Sequence, residues 1–151
     1  MAALIGTATG ASTLLEDFMR VELEVIGACR AAIPALAGPD ERALVVKLRD
    51  DHEEALRQLA RFTTRYRIDM PEDGTANEAR TLGRIKQARR RGGDGRVLAA
   101  LDTALGEVAP AYARGLRNAA LPEAMIPIVK GARDSLERGR TAMREAARLA
   151  A

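Results

Sequence analysis

Residues 36–41 read Leu-Ala-Gly-Pro-Asp-Glu, and the fold turns on them. Gly38 stops the helix that precedes it. Pro39 has the fixed φ and the missing N–H that a first helical turn tolerates. Asp40 and Glu41 then set negative charge against the positive end of a new helix. The link is too short for the second helix to go anywhere but back along the first. An antiparallel helical hairpin is the reading.

Upstream, Thr13-Leu14-Leu15-Glu16 is a capping-box pattern, which predicts a helix from Thr13 to about Leu36 behind a flexible tail over residues 1–12. Its apolar positions (Leu15, Met19, Ile26, Cys29, Ile33) return in steps of three, four and seven, the spacing of a bundle-facing seam, and Glu22 stands among them. Downstream, a helix from Asp40 to Tyr66 carries Val45, Leu48, Ala55, Leu59 and Phe62 on one stripe, with His52 as its polar member. Residues 67–95 combine turn chemistry, a short amphipathic stretch around Leu82, Ile85 and Ala88, and a Gly-Gly-Asp-Gly break in which Asp94 can cap the next helix. A connection this long in a compact domain suits a crossover running the length of a bundle. A third helix is expected from Arg96 to Ala119, kinked at Pro110, and a fourth from Leu121-Pro122 to about Leu149. The fold class is therefore all-α: a four-helix bundle, two antiparallel hairpins joined by a long crossover over 67–95, forming one domain over residues 13–151.

Composition agrees. Of 151 residues 30 are Ala, 21 Arg and 3 Lys, aromatics are 3% and Trp is absent. Strong helix formers dominate, and no strand-length alternation competes with them. The lone Cys29 cannot form an internal disulfide, which fits a reducing cytoplasm. The first residues lack the basic region of a signal peptide, and no apolar run approaches the roughly 18 residues of a membrane span. A cytoplasmic protein without a membrane partner is expected.

The chain resembles the ferritin-like superfamily, and more narrowly its small bacterial proteins of unknown function. The resemblance runs from about Leu14 to Leu149. It is carried by the inward Glu22, by "DHEEALRQL" (residues 51–59), and by "GEVAPAYARGL" (106–116) followed by "LPEAMIPIVKGARDSLERGR" (121–140). It implies ferritin-like connectivity and a stress-related role. It also implies carboxylates on helices one and three and Glu-x-x-His on helices two and four. Glu22 and His52 match that pattern, and Glu107 is the nearest helix-three carboxylate. Arg49 stands where the helix-two Glu should be, and the fourth helix has no His.

These residues admit two readings. Glu22 and His52 on facing seams can form a buried hydrogen-bonded pair, with no cofactor, in a bundle that works by self-association or partner binding. Alternatively Glu22, His52 and Glu107 hold iron, manganese or zinc in a degenerate site. The buried-pair reading is preferred, because burying a lone carboxylate is costly and a nearby imidazole satisfies it. The many alanines leave a thin core, so a homodimer or larger homo-oligomer is expected to add buried area. Between Arg80 and Arg96 seven basic residues stand against the single Asp94, without interleaved aromatics, which predicts weak, non-specific polyanion binding. The one His has no neighbouring nucleophile, and no Gly-rich phosphate loop follows a strand, so nucleophilic catalysis and nucleotide hydrolysis are set aside.

Overall fold

The structure, a computed structural model, describes residues 2–72 and 76–150, and among these all regular structure is helical. Helix α1 (Ala2–Ala32) gives way to a 3₁₀ turn (Ile33–Ala35), where Pro34 removes an amide that an α-helix would use. Helix α2 (Pro39–Ala60) comes after the short link and is succeeded by a single turn, α3 (Thr63–Tyr66). Arg67 closes α3 in the left-handed conformation (φ 54°). Helix α4 (Ala76–Arg91) leads into α5 (Asp94–Val108), α6 (Pro110–Leu116), a 3₁₀ turn (Glu123–Met125) and α7 (Ile126–Leu149).

Contacts between side chains set the directions. Ser12 meets the Tyr66 carbonyl at one end of the α1–α2 pair, Glu22 meets His52 in the middle, and the link closes the other end. The pair is therefore the antiparallel hairpin expected from Gly38-Pro39. Asp51–Ser135 and Leu48–Gly139 make α2 antiparallel to α7. Gly95 beside Ala147 and Asp102 bonded to Arg140 do the same for α5 and α7, while Glu22–Tyr112 and Phe18–Gly115 pair α1 with α6. Helices α1, α2, α7 and α5 each pack on the next, and α5 returns to α1. Their inward faces supply the core: Leu15, Met19, Ile26, Leu59, Leu98, Leu105, Leu136 and Met143 are all but inaccessible.

These directions force the long connection. Both α2 and α5 run opposite to α1, so the chain leaving α2 beside Ser12 must return to the Gly38 end before α5 can begin. Helix α4, sixteen residues and about 24 Å long, covers most of that distance, packed on α1 and α5. One face of it is buried through Ile85, while Leu82 stays exposed.

Several boundaries differ from the expected ones. Helix α1 already begins at Ala2, so the segment expected as a tail is helical and Thr13 lies inside the helix; Ala11 is buried and Gly10 packs on Ala120. Helix α2 stops at Ala60, with a turn at residues 61–62. The break at Pro110 is complete, giving two helices.

Asp94, expected to cap its own helix, instead reaches across to the hairpin link. Its Oδ1 accepts from the Ala37 amide (2.9 Å) and its Oδ2 from the Gly38 amide (2.7 Å), while Gly93 takes the cap position. Arg42 holds the other side of the link by donating to the carbonyls of Leu36 and Ala37. The Ala37 amide, with Gly38, Arg89 and Arg42, holds the Asp94 carboxyl below the ordinary aspartate range against the opposing effect of burial. Removing both acceptors in Asp94→Ala is expected to lower the unfolding free energy by about 1–3 kcal/mol, read from urea titration. A group with a depressed folded pKa stabilises above its ordinary value and loses that contribution as pH falls through the depressed one. Asp94→Asn should therefore flatten the acid limb of the stability curve. An Asp94→Ala midpoint equal to wild type would show the clamp to be idle.

Candidate functional site

The buried polar side chains among the described residues are Glu22, His52 and Ser135. Glu22 sits on α1 in a wall of Met19, Val25 and Ile26, with 1% of its surface exposed; His52 sits on α2 between Leu48 and Ala55, with none. Their side chains meet, Glu22 Oε2 against His52 Nδ1. A third group completes the arrangement. The Tyr112 hydroxyl donates to Glu22 Oε1 at 2.6 Å and lies 3.4 Å from His52 Nδ1.

Tyr112 reaches this place on the seam of Leu98, Leu101 and Leu105, which carries on from α5 into α6. Pro110 starts α6 afresh, and Tyr112 falls in its first turn. The Phe18 ring stacks near it, with centroids 6.5 Å apart and planes 25° apart. One turn on, Gly115 is required: a Cβ there would collide with the Phe18 ring.

The protonation pattern is set by the partners. A buried carboxylate needs donors, and Glu22 has two, the phenol on one oxygen and His52 Nδ1–H on the other. That tautomer leaves His52 Nε2 a buried lone pair, and it has no hydrogen-bond partner. Burial, then the charge and the hydrogen bond of Glu22, pushes the Tyr112 phenol well above its ordinary range, so it stays a neutral donor. Cys29, two turns along α1 from Glu22, is also buried, and burial pushes its thiol up to about 12. Neither group can act as a nucleophile near neutral pH.

Of the candidate metal residues, Glu22 and His52 come together and Glu107 does not. Glu107 faces solvent from α5, half exposed, and accepts from Arg84 at 2.8 Å. Among the described residues no three His, Cys, Asp or Glu side chains converge. The groups that do converge are a carboxylate, an imidazole and a phenol, each in hydrogen-bonding contact with another. On the α2 surface Asp50, Asp51, Glu53 and Glu54 form ion pairs with Arg49, Lys47, Arg30 and Arg57.

Sequence reasoning missed Tyr112 as a partner. Its signal was present: a Tyr on a fully apolar seam carries a hydroxyl that must find an acceptor. Ser135 was missed too; its hydroxyl donates to Asp51 Oδ2 at 2.8 Å and ties α7 to α2. Comparison with protein-family models, with curated proteins and with solved structures finds no match to this chain.

Removing the phenol hydroxyl strips a donor from a buried charge. Tyr112→Phe is expected to cost about 1–3 kcal/mol, and His52→Ala more, since it also opens a cavity. Combining Glu22→Leu, His52→Met and Tyr112→Phe removes all three polar groups together and should recover most of the loss. Thermal and urea unfolding of the series checks this. A triple variant no more stable than the worst single one would contradict the coupling of these three groups.

Proposed function

We propose that the chain is a non-catalytic four-helix bundle of ferritin-like connectivity that acts by pairing with a second copy of itself. The antiparallel ring of α1, α2, α7 and α5, with α4 as its crossover, supports the connectivity. The closed polar centre supports a structural role: its three side chains are at most 1% exposed, so a substrate has no approach to them. In this reading Glu22, His52 and Tyr112 hold register and carry no resident metal. The buried thiol and the absence, among the described residues, of a helix long and apolar enough to cross a membrane suit a cytoplasmic protein.

The observation that carries the pairing is the surface between α2 and α7. Two adjoining cavities of about 220 and 270 Å³ share Lys47, Asp51, Ser135 and Arg138, forming one continuous groove. Its floor is small or apolar: Leu48, Ala55, Ala132, Gly139 and Ala142. Gly131 on its edge faces open space, where an added Cβ would meet nothing within 4 Å. Lys47 and Arg138 stand with Asp51 and Glu54 in the groove, so its charges complement themselves under a two-fold axis. Small residues let a second helix approach closely, and that area supplements a core short of large side chains.

Sedimentation equilibrium at micromolar concentration should give about twice 16.2 kDa. Gly131→Arg should shift the species toward the monomer with helix content unchanged. A wild-type mass near 16.2 kDa would remove the proposal. Metal analysis of tag-free protein tests the other half: stoichiometric iron, manganese or zinc, lost in His52→Ala, would establish the metal reading instead.

A further inference from the structure

The arginines of α4 are not spread evenly. Arg84, Ala88 and Arg91 are spaced by four and three and so share one helix face, while Ile85 anchors a different face in the core. Across from them α5 presents Arg96 and Ala99, one turn apart. Together with Gln87 these residues line a groove of about 210 Å³. The floor is two methyl groups, and the walls are three guanidinium groups and a primary amide. Gly92 lets the Arg96 stem fold close over the turn: a Cβ there would stand 2.9 Å from its Cδ.

The charge of this groove is largely uncompensated. Glu107 accepts from one nitrogen of Arg84 and fixes its guanidinium; Asp94 is shared among the hairpin link and Arg89. Among the described residues neither Arg91 nor Arg96 forms an ion pair, although both reach the same groove. Like charges are brought together there by two helices that the crossover packs side by side. An anion with several charges in a small volume relieves that repulsion.

We propose that the α4–α5 groove binds a small oligophosphate, of the diphosphate or triphosphate class. Planar guanidinium groups match phosphate oxygens in paired hydrogen bonds, and three of them suit a ligand with more charge than one orthophosphate carries. No aromatic side chain lines the groove, so a nucleobase would gain no stacking. Recognition rests on the phosphates alone. The arginines converge from two helices on one compact space, which favours a compact anion over the line of phosphates along a duplex.

The experiment is calorimetric titration of the full chain with sodium tripolyphosphate and with sodium orthophosphate, at about 50 mM salt, where such contacts are strong. The expected result is one tripolyphosphate per chain, bound at least about tenfold more tightly than orthophosphate, or about 1.4 kcal/mol. Arg91→Gln with Arg96→Gln should weaken it by a similar factor with unchanged thermal unfolding, since both side chains are exposed. Arg114→Gln with Arg117→Gln, exposed on another part of the surface, should leave it intact. The proposal is overturned by an absence of saturable binding, or by equal weakening in both double variants. Duplex DNA that binds the chain and is not displaced by tripolyphosphate would also overturn it. The residues are separate from the α2–α7 groove, so the outcome is independent of whether the chain pairs.

Discussion

A single carboxylate constrains this structure more than any other group. Glu22 is buried in the seam of α1, and a buried charge without donors costs several kcal/mol. It is satisfied only if α2 delivers His52 and α6 delivers Tyr112 to its two oxygens. Apolar burial supplies most of the stabilisation, but it is nearly blind to direction, since one Leu against another has little preference for register. The polar centre discriminates, because sliding either helix by a turn would strand the carboxylate. Phe18 and Gly115 then seal the phenol from solvent.

A second constraint acts at the far end. Because α2 and α5 run in the same direction, their connection must recross the molecule, and a recrossing segment needs something to receive it. Asp94 is that anchor. Its two oxygens take the free amides of the link between α1 and α2, fixing the start of α5 to the end of the hairpin. The first helix pair is thus pinned from outside by the segment that leaves it. Helix α4 accordingly lies on the exterior, against α1 and α5, with most of its arginines left toward solvent.

The parts of this that were legible in the sequence are those carried by local chemistry. Gly38-Pro39 announced the hairpin, the seam around Glu22 and His52 announced their meeting, and Pro110 announced a kink that the structure turns into a full break. What escaped depends on residues brought together from afar. Asp94 looked like a cap for its own helix because capping is the local use of an Asp after glycine; its partners lie 56 and 57 residues away. Tyr112 read as core because its ring is core, while its hydroxyl answers to Glu22, 90 residues distant. Glu107 was one residue off the stripe, and a hundred degrees of helical rotation turned it outward to Arg84. The capping-box pattern at Thr13–Glu16 placed the start of α1 too late, because the burial of Ala11 was not visible in the sequence around it.

Closure of the centre has a consequence for where this molecule can interact. Helix α1 is covered by α2, α4 and α5, so the residues that define the fold are those least able to meet a partner. Chemistry that reaches solvent is left to the outer helices, and these divide it. The α2–α7 face carries small side chains and balanced charge, suited to another protein surface. The α4–α5 face carries an excess of guanidinium charge, suited to an anion and hostile to a second copy of itself. The two grooves share no residue, since one is walled by Lys47, Asp51 and Arg138 and the other by Arg84, Arg91 and Arg96. Repulsion between arginine faces would oppose any pairing through α4. The same charge that fits the proposed anion therefore also favours α2 and α7 as the face for the proposed pairing.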